Sequence, residues 1–290
     1  MQAEGPIKSF SLQADQILDK QLRERLSKKP FSKSSIAIRT CGLLLTLLTI
    51  YAFISFDYKD VNFIDALLLT LDNLGKMFFD PHLKHFNFSH ALFQVLVTLG
   101  LAFLTTIFGA IIALMLGLLA AENISSKPLS VVIKGTVALI RAVPTVLWVL
   151  IFAVAAGLGS VAAVIGMTFH SISYLVKAYS ESFEEIDKGT IEALQASGAN
   201  WWQIVFQAVI PSSITYMVSW TFMRFEINFA VAVAMGAAAG AGGIGFDMFM
   251  ASGFYFDLRE IGAITYFILL VAICLEIFAT HIKRKLQVLS

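Results

Sequence analysis

The sequence predicts an all-α integral membrane protein with about six transmembrane helices. Hydrophobic residues make up 58% of the 290 residues and charged residues only 14%, a balance that excludes an ordinary water-soluble domain. The apolar residues also form long runs, and a helix needs about 20 such residues to cross the hydrocarbon core of a bilayer. The predicted spans are 39–56, 91–121, 136–157, 158–178, 213–235 and 261–280.

The distribution of basic residues predicts the orientation of these spans. Lys and Arg are concentrated in the N-terminal segment 1–38 and in the tail 283–290, and positively charged flanks remain on the cytoplasmic side. Both termini are therefore expected in the cytoplasm, with the chain in the plasma or inner membrane. An even number of crossings then places segment 57–90 outside and segment 181–211 inside.

The residues before the second span are expected to form an anchor and two surface helices. Apolar and basic residues recur at helical spacing over 12–28, which indicates an amphipathic helix on the cytoplasmic membrane surface or a solvated tail helix. Nothing resembles a signal-peptide cleavage site, so the 39–56 span is expected to remain as an anchor. The 57–90 segment contains an interfacial helix whose polar residues argue against a seventh span: Asn62, Asp65, Asp72 and Lys76.

Charged residues inside the fifth span indicate either a solute path or contacts between helices. Arg224 and Asn228 are four positions apart and share one helix face, whereas Glu226 lies on another. A charge at a helix centre costs roughly 3 kcal/mol, so each one needs a polar partner or water. One interpretation is that Arg224 and Asn228 face an aqueous path for an anion while Glu226 binds a basic group. The other is that both charges form structural bridges.

Two more polar residues lie within the predicted spans. His170 is in the middle of the fourth span, where a lone histidine is more often a packing residue than a ligand contact. Arg141 is at the inner end of the third, and both residues are candidates for the same path. Pro144 is expected to kink this third helix or to mark its start. A face of small residues in the second span predicts close helix contact: Gly109, Ala113 and Gly117.

Metal and nucleotide sites have little support in this sequence. Asp80, His82, His85 and His90 carry metal-binding side chains, but so loose a set in a loop is more often solvated, and no metal is assigned. No segment fits GxxxxGK[ST], so any ATP hydrolysis has to come from another subunit.

A glycine-rich run follows the fifth span and contains Gly240, Gly242, Gly243 and Gly245. Three of these residues spell GxGxxG, but the dinucleotide fingerprint requires a preceding strand and a soluble βαβ unit. Irregular backbone at membrane depth survives only against protein or a watery cavity. The run is therefore interpreted as a gate loop that lines a cavity, or as a tight turn with close helix packing.

The most informative segment is 181–211, a polar interruption between two apolar spans. Three residues can cap its short helices: Ser180, Ser182 and Asp187. Gly198 can end a helix in a left-handed conformation, and Pro211 is expected to bar continuation into the next span. A surface helix-turn-helix results, and it is expected to expose Trp201, Trp202, Ile204 and Phe206 to lipid or to a partner.

This segment resembles the EAA loop of ABC importer permeases. The matching residues are Glu192 and Ala193, Gly198, and Ile210 with Pro211. Three further runs resemble phosphonate-type permeases of the PhnE kind: Glu181–Asp187, Arg224–Asn228 and Gly240–Gly245. The similarity covers about 90–282, and it is densest between 140 and 245.

The resemblance implies a type I ABC importer fold, as in MetI-like permeases, with a core domain at 91–282 and a coupling helix that enters an ATPase subunit. The residues implied at that contact are Glu184, Glu185, Glu192, Ala193, Gly198 and Pro211. The expected partners are two copies of an ABC ATPase, an extracytoplasmic solute-binding protein, a second copy of this chain and membrane lipid, with no nucleic acid. No cofactor is expected on this chain, because ATP and Mg²⁺ belong to the ATPase.

The resemblance also implies a function. The chain would be a permease subunit rather than an enzyme, and it would pass phosphonate or a related phosphorus oxyanion inward by alternating access. The alternatives are a permease for phosphite, phosphate or a vitamin precursor, and an ion-coupled secondary transporter that needs no ATPase. A membrane-embedded enzyme is disfavoured, because no HExxH motif and no Ser-Lys or Asp-Asp set lies within the spans.

Overall fold

The computed structural model describes residues 33–55 and 61–289, and the regular elements within these ranges are helices. The amphipathic helix predicted at 12–28 lies outside the described residues. The chain divides into two units, Met1–Ala66 and Leu67–Ser290. Five helices of the described part are long and apolar enough to cross a membrane, and a bent pair of shorter helices raises the number to six. The prediction of an all-α membrane protein with about six spans is confirmed.

The first unit contains helix α1, Lys33–Ser55. Its 23 residues give a length of about 35 Å, enough to cross a bilayer. Threonine hydroxyls within it donate to the carbonyl oxygens four residues earlier, at 2.6–2.8 Å: Thr40, Thr46 and Thr49. These bonds satisfy polar side chains without water, as a lipid environment requires. Helix α2, Phe63–Phe79, has 17 residues and crosses the boundary between the units.

The second unit is a helix bundle. Its helices are α3 (Phe88–Ala120), α4 (Lys127–Ala142), α5 (Thr145–Ala156), α6 (Ser160–Glu184), α7 (Lys188–Ala196), α8 (Trp201–Ile204), α9 (Ile210–Ala239), α10 (Ile244–Gly253) and α11 (Leu258–Leu289). A π-helical turn, Val205–Val209, joins α8 to α9. The last turn of α2 packs against α11, where the Tyr266 hydroxyl donates to the carbonyl oxygen of Phe78 at 2.6 Å.

Helices α3 and α6 pack closely against each other through small residues. A Cβ atom placed on Gly109 would lie 2.8 Å from the Cβ of Ser171, and one on Gly117 would lie 3.1 Å from the Cβ of Tyr179. Ala113, between the two glycines, is fully buried. The predicted small-residue face is thus confirmed, and it brings the polar residues of the two helices within reach of each other.

The third predicted span, 136–157, is not one continuous helix. Helix α4 ends at Ala142 and α5 begins at Thr145, and the two axes differ by 90°. Pro144 lies at the break, as expected of a residue that lacks a backbone N–H and disfavours helix in the residue before it. Helix α5 has only 12 residues, about 18 Å, so it cannot cross the bilayer alone.

Pro211 was predicted to bar continuation into the fifth span, and that prediction is wrong. The apolar segment Trp201–Ala239 passes through this proline as one 39-residue span. The π turn ends at Val209, two residues before Pro211, which is the second residue of α9. Wider π winding accommodates a ring that would clash with the preceding turn of an α-helix, and the proline needs no hydrogen-bond partner there.

Helix α3 connects two ends of the second unit that differ in chemistry. Its 33 residues correspond to about 50 Å. We call the end around residues 121–126 and 181–204 the α7 end. The end around residues 80–90 and 254–260 is called the histidine end.

Candidate functional site

Helix α7 is a short helix with a sequence-encoded cap at each terminus. The Asp187 side chain accepts a hydrogen bond from the backbone N–H of Thr190 at 3.1 Å and caps the N-terminus. Gly198 ends the helix with φ of 85°, and the N–H of Ala199 donates to the carbonyl oxygen of Leu194 at 3.0 Å. This is the glycine-terminated ending that the sequence predicts at this position.

The other two predicted caps are wrong, because Ser180 and Ser182 lie inside α6. Their hydroxyls donate to the carbonyl oxygens of Lys177 and Ala178, at 3.0 and 2.9 Å. A residue that sequence reasoning did not use, Asn200, caps α8 instead. It accepts from the N–H of Gln203 at 2.9 Å, and the Gln203 side chain accepts from the N–H of Asn200 at 2.7 Å, which completes a capping box.

One side of the α7–α8 pair is anchored and the other is open. Ile191 and Ile204 are buried in the apolar core at this end, so the expectation that Ile204 is exposed is wrong. Trp201 is partly buried, and its indole N–H donates to the carbonyl oxygen of Ile124 at 2.8 Å. Trp202 and Phe206 are 54% and 62% exposed and stack on each other, as predicted for a surface that binds lipid or a partner.

The residues implied at a coupling contact differ in exposure. Glu192 and Ala193 on α7, Gly198 after it and Glu185 before it are exposed, whereas Glu184 is only partly so. Glu184 accepts from the N–H of Glu122 and from the Lys134 ammonium, both at 2.8 Å. It therefore braces α6 against the turn after α3 and against α4, beneath the open face.

Arg224 and Asn228 lie in a buried polar cluster shared by three helices. Both project from α9 and are at most 2% exposed, which confirms that they occupy one face. The Arg224 Nε donates to the Ser171 hydroxyl on α6 at 3.0 Å. The Asn228 amide nitrogen donates to Thr106 on α3 at 2.8 Å and to Ser171 at 3.0 Å.

The Arg224 guanidinium has a buried nitrogen to which the described residues offer no hydrogen-bond acceptor. Its Nη2 atom is buried and unpaired among the described residues, and its Cζ lies 5.3 Å from the centre of the Tyr174 ring. A buried unpaired donor costs about 1–3 kcal/mol, so the site is arranged to accept another group or to rearrange. Glu226, two positions away, is partly buried on another face of α9.

His170 and Arg141 occupy different surroundings. His170 is partly exposed on α6, and its Nδ1 atom has no hydrogen-bond partner among the described residues. Arg141, in the last turn of α4, lines a cavity of about 210 Å³ between α4 and α6 together with Lys134, Lys177 and Glu181. The structure thus groups Arg141 with the charged residues near the α7 end.

The glycine-rich run forms a compact turn between α9 and α10. Gly240, Gly242 and Gly243 have φ of 62°, 79° and 75°, conformations that favour glycine. A Cβ atom on Gly245 would lie 1.8 Å from the carbonyl oxygen of Val233, which leaves no room for a side chain. This packing favours the interpretation as a tight turn, and a helix rather than a strand precedes the run.

The histidines of segment 80–90 are partly exposed, but each lies against a carboxylate, so the prediction of a loose solvated set is wrong. His82 Nε2 lies 3.0 Å from Asp257 Oδ2, His85 Nδ1 lies 2.6 Å from Glu260 Oε2, and His90 Nε2 lies 3.2 Å from Asp247 Oδ2. The partners are 157 to 175 residues away in the sequence, which is why sequence reasoning missed them. The only local signal is the shared i, i+3 spacing of His82 with His85 and of Asp257 with Glu260.

The pKa values of two of these carboxyl groups shift in opposite directions. Burial raises the pKa of Asp247, and its contact with His90 only partly opposes this effect. Burial acts in the same direction on Asp257, but hydrogen bonds from His82 and from backbone N–H groups outweigh it and lower the pKa of that carboxyl.

The fold and this site define a class: a polytopic helical membrane protein that exposes a short capped helix between two of its spans. The chain belongs to the family of binding-protein-dependent transport system inner membrane components, whose model matches residues 113–288. It is accordingly a multi-pass protein of the inner membrane.

Curated relatives share about 30% identity with this chain. The phosphate-import permease protein PhnE of Mycolicibacterium smegmatis is 31% identical over 191 residues, which cover 65% of this chain and 35% of the relative. The phosphite transport system permease protein PtxC of Stutzerimonas stutzeri is 29% identical over 191 residues, covering 66% and 69%. The chain therefore matches about a third of the length of the first relative and about two thirds of the second.

Solved structures with the same fold belong to ABC importers. An inward-facing methionine transporter, MetNI, matches with a TM-score of 0.60 at 22% identity, covering 68% of this chain and 95% of that chain. A bacterial alginate importer matches with a TM-score of 0.58 at 16% identity, covering 88% and 99%. The predicted type I ABC importer fold is confirmed by these matches.

Proposed function

We propose that this chain is the permease subunit of an ABC importer and that it passes phosphonate or a related phosphorus oxyanion inward. The observation that carries the proposal is helix α7, a nine-residue capped helix between two long spans. Glu192 and Ala193 lie on its solvent-exposed face. A membrane protein that fixes such a helix rigidly has a surface suited to a soluble partner. The family membership supports the same conclusion.

In this proposal α7 is the coupling helix. Ile191 of α7 packs into the apolar core that α3, α4 and α6 share, and the pair formed by Glu184 and Lys134 braces α6 against α4 where α7 follows. A force applied to α7 would therefore reach the bundle without being absorbed by a flexible loop. Two ATPase subunits that bind ATP and Mg²⁺ would supply that force, and this chain would hydrolyse no nucleotide.

The complete importer would contain two copies of this chain, because the sequence carries one EAA segment. Both termini and the α7 end would lie in the cytoplasm, as the basic flanks indicate. The histidine end would then face outward, where a solute-binding protein delivers its ligand.

The Arg224–Asn228 cluster supports an anionic solute. A guanidinium forms strong charge-assisted bonds to phosphorus oxyanions, and the Nη2 atom of Arg224 has no hydrogen-bond partner among the described residues. The cluster is buried between α3, α6 and α9, so an anion would reach it only when these helices separate, as alternating access requires. The names of the relatives, which include phosphate and phosphite permeases, point to the same class of solute.

The test is reconstitution of the chain in liposomes with a candidate ATPase and binding protein. We expect uptake of the oxyanion and ligand-stimulated ATP hydrolysis only when all components are present. Uptake by the chain alone would identify a secondary transporter and overturn the proposal. Calorimetry of the binding protein against phosphonate, phosphite, phosphate and vitamin precursors would identify the solute.

The role of Arg224 has its own test. We expect Arg224→Gln to lower oxyanion uptake at least tenfold while ATP hydrolysis still responds to the loaded binding protein. Lys177→Gln, which removes an exposed cation on α6, is the matched control and should transport normally. Normal uptake by Arg224→Gln would remove the cluster from the path.

A permease for a different solute is the second candidate. Its support is a relative outside the phosphorus group: the probable D-methionine transport system permease protein MetI of Pasteurella multocida is 28% identical over 163 residues, covering 52% of this chain and 75% of the relative. The calorimetric panel separates the two candidates when it includes methionine.

A further inference from the structure

The histidine end contains four metal-binding side chains that converge from two distant segments. His82 and His85 precede α3, and Asp257 and Glu260 lie at the start of α11. The ligand atoms of His85, Asp257 and Glu260 all lie within 4.8 Å of one another. His82 Nε2 lies 3.0 Å from Asp257 Oδ2 and adds a fourth donor at the edge of this group.

Each carboxylate is held by backbone groups through one oxygen only. Glu260 Oε1 accepts from the N–H groups of Lys84, His85 and Phe86, at 2.9, 2.7 and 3.2 Å. Asp257 Oδ1 accepts from two N–H groups at the start of α11, at 3.1 and 3.2 Å. Helix capping explains the hydrogen bonds of Asp257 Oδ1. It does not explain why Asp257 Oδ2 and Glu260 Oε2 are both directed at imidazoles.

This arrangement matches the way proteins orient metal-binding carboxylates, with the second oxygen fixed by hydrogen bonds. The imidazole of His85 is fixed as well, because it stacks on Tyr255 with a ring separation of 3.9 Å. Glu260 has a side-chain exposure of 0%, whereas His82 and His85 retain 36% and 29%. The buried carboxylate therefore forms the floor of a site that a cation can enter from the solvent side.

We propose that His82, His85, Asp257 and Glu260 form a binding site for a divalent transition metal of the Zn²⁺ class. Two imidazoles and two carboxylates suit Zn²⁺, whereas Mg²⁺ and Ca²⁺ prefer oxygen ligands alone. Tetrahedral Zn²⁺ ligands at about 2.0–2.1 Å from the metal lie about 3.3 Å from one another. The separations among His85, Asp257 and Glu260 include one of 2.6 Å and stay within 4.8 Å, so they bracket that value. His82 meets the group through Asp257 Oδ2, at 3.0 Å.

The bound metal would replace the protons that the two imidazoles now share with the carboxylates. It would clamp the segment between α2 and α3 to the start of α11. The nearby Arg259 guanidinium does not block the site, because it is turned toward Asp80, whose Oδ2 lies 2.7 Å from its Nη2. Metal binding at these four residues would not depend on the transported solute.

The test is titration of the purified full chain in detergent with Zn²⁺ alone, against a chromophoric competing chelator. The chain carries Cys41→Ser and Cys274→Ser, because both cysteines are free and thiolates also bind Zn²⁺. We expect one tightly bound Zn²⁺ per chain. No stoichiometric binding would overturn the proposal.

Substitutions of the four residues show which of them bind Zn²⁺. The double variant His82→Gln with His85→Gln should weaken Zn²⁺ binding more than about 100-fold, since even outer partners of metal ligands are worth 10–100-fold. His90→Gln breaks a neighbouring pair of the same kind and should keep the parent affinity. Equal affinity in the double variant and the parent would overturn the assignment.

Two further measurements keep the proposal falsifiable if the double variant does not fold. Asp257→Asn keeps the capping oxygen and one hydrogen-bonding group, and it should also weaken Zn²⁺ binding more than about 100-fold. The parent chain loaded with Co²⁺ should show the intense visible absorption of a tetrahedral site. Parent-like affinity in Asp257→Asn, or stoichiometric Co²⁺ without that absorption, would contradict the four-ligand site.

Discussion

The α7 end and the histidine end handle their charged residues in opposite ways. At the α7 end, Glu185, Glu192 and Trp202 are exposed, while Glu184 is partly buried and paired with Lys134. At the histidine end, the carboxylates of Asp257 and Glu260 each lie against a histidine within the same chain.

The α7 end therefore has charged groups free to contact another protein, whereas the carboxylates of the histidine end have hydrogen-bond partners within the chain. Exposed carboxylates and aromatic rings on a rigid helix are suited to a complementary protein surface. Carboxylates that accept several hydrogen bonds within the chain stabilise the local fold, and their loss is costly, most of all for the buried Glu260. Substitutions at the histidine end should therefore change stability, whereas those on the face of α7 should change coupling.

The largest expected effect is that of Glu260→Ala at the histidine end. The substitution removes a carboxylate that accepts hydrogen bonds from three backbone N–H groups and contacts the imidazole of His85. We therefore expect the free energy of unfolding to fall by about 3–5 kcal/mol. Thermal denaturation in detergent with a metal chelator present measures it. Glu276→Ala, at an exposed position of the same helix, should change stability by less than about 0.5 kcal/mol.

The next effect is that of Glu192→Ala on coupling. A partner contact at the centre of an interface is worth about 2 kcal/mol, so we expect about a thirtyfold weaker affinity for the ATPase subunit, with unchanged folding of the isolated chain. Binding of purified ATPase to the chain in nanodiscs measures this affinity. Glu181→Ala, an exposed glutamate on α6, is the control; equal losses in both variants would show that the effect is only one of surface charge.

Gly198→Ala should have a smaller effect on the shape of the same end. At φ of 85° an alanine costs about 1–2 kcal/mol, and α7 would end earlier or tilt. Uncoupled ATP hydrolysis, with uptake reduced relative to ATP consumed, is the expected result. Gly135→Ala, in an open position on helix α4, is the control and should leave the ratio of uptake to ATP consumed unchanged. Tight coupling in Gly198→Ala would mean that the orientation of α7 is not critical.

The smallest effect is expected for Asp187→Ala, which removes the N-cap of α7. A lost cap costs about 1 kcal/mol, so the helix should fray at its start while the bundle stays folded. Hydrogen exchange at Thr190 and its neighbours measures the fraying. Asp187→Asn should restore protection, because asparagine caps about equally well.

The α7 end could be predicted because its signals are local. A cap lies three residues from the N–H it bonds, and Gly198 lies two residues after the helix it ends, so the sequence specifies both directly. The histidine end could not be predicted in the same way. His85 and Glu260 are 175 residues apart, and no periodicity brings them together until the bundle has formed.

The two prolines show the limit of local signals. Pro144 lies at a 90° break, whereas Pro211 lies within a continuous span. The difference depends on the π turn before Pro211, a feature that composition does not reveal. Burial of Ile204 was missed for a similar reason, because only packing decides which apolar residue of a surface segment faces the core.

Cross-linking from α7 to the ATPase subunit tests the central claim most directly. A photoreactive residue at position 193, on the exposed face of α7, would be activated in the assembled complex and the products identified by mass spectrometry. We predict a cross-link from position 193 to the ATPase subunit and none from position 84 at the histidine end. A product from position 84 with none from position 193 would contradict the claim that α7 is the coupling helix.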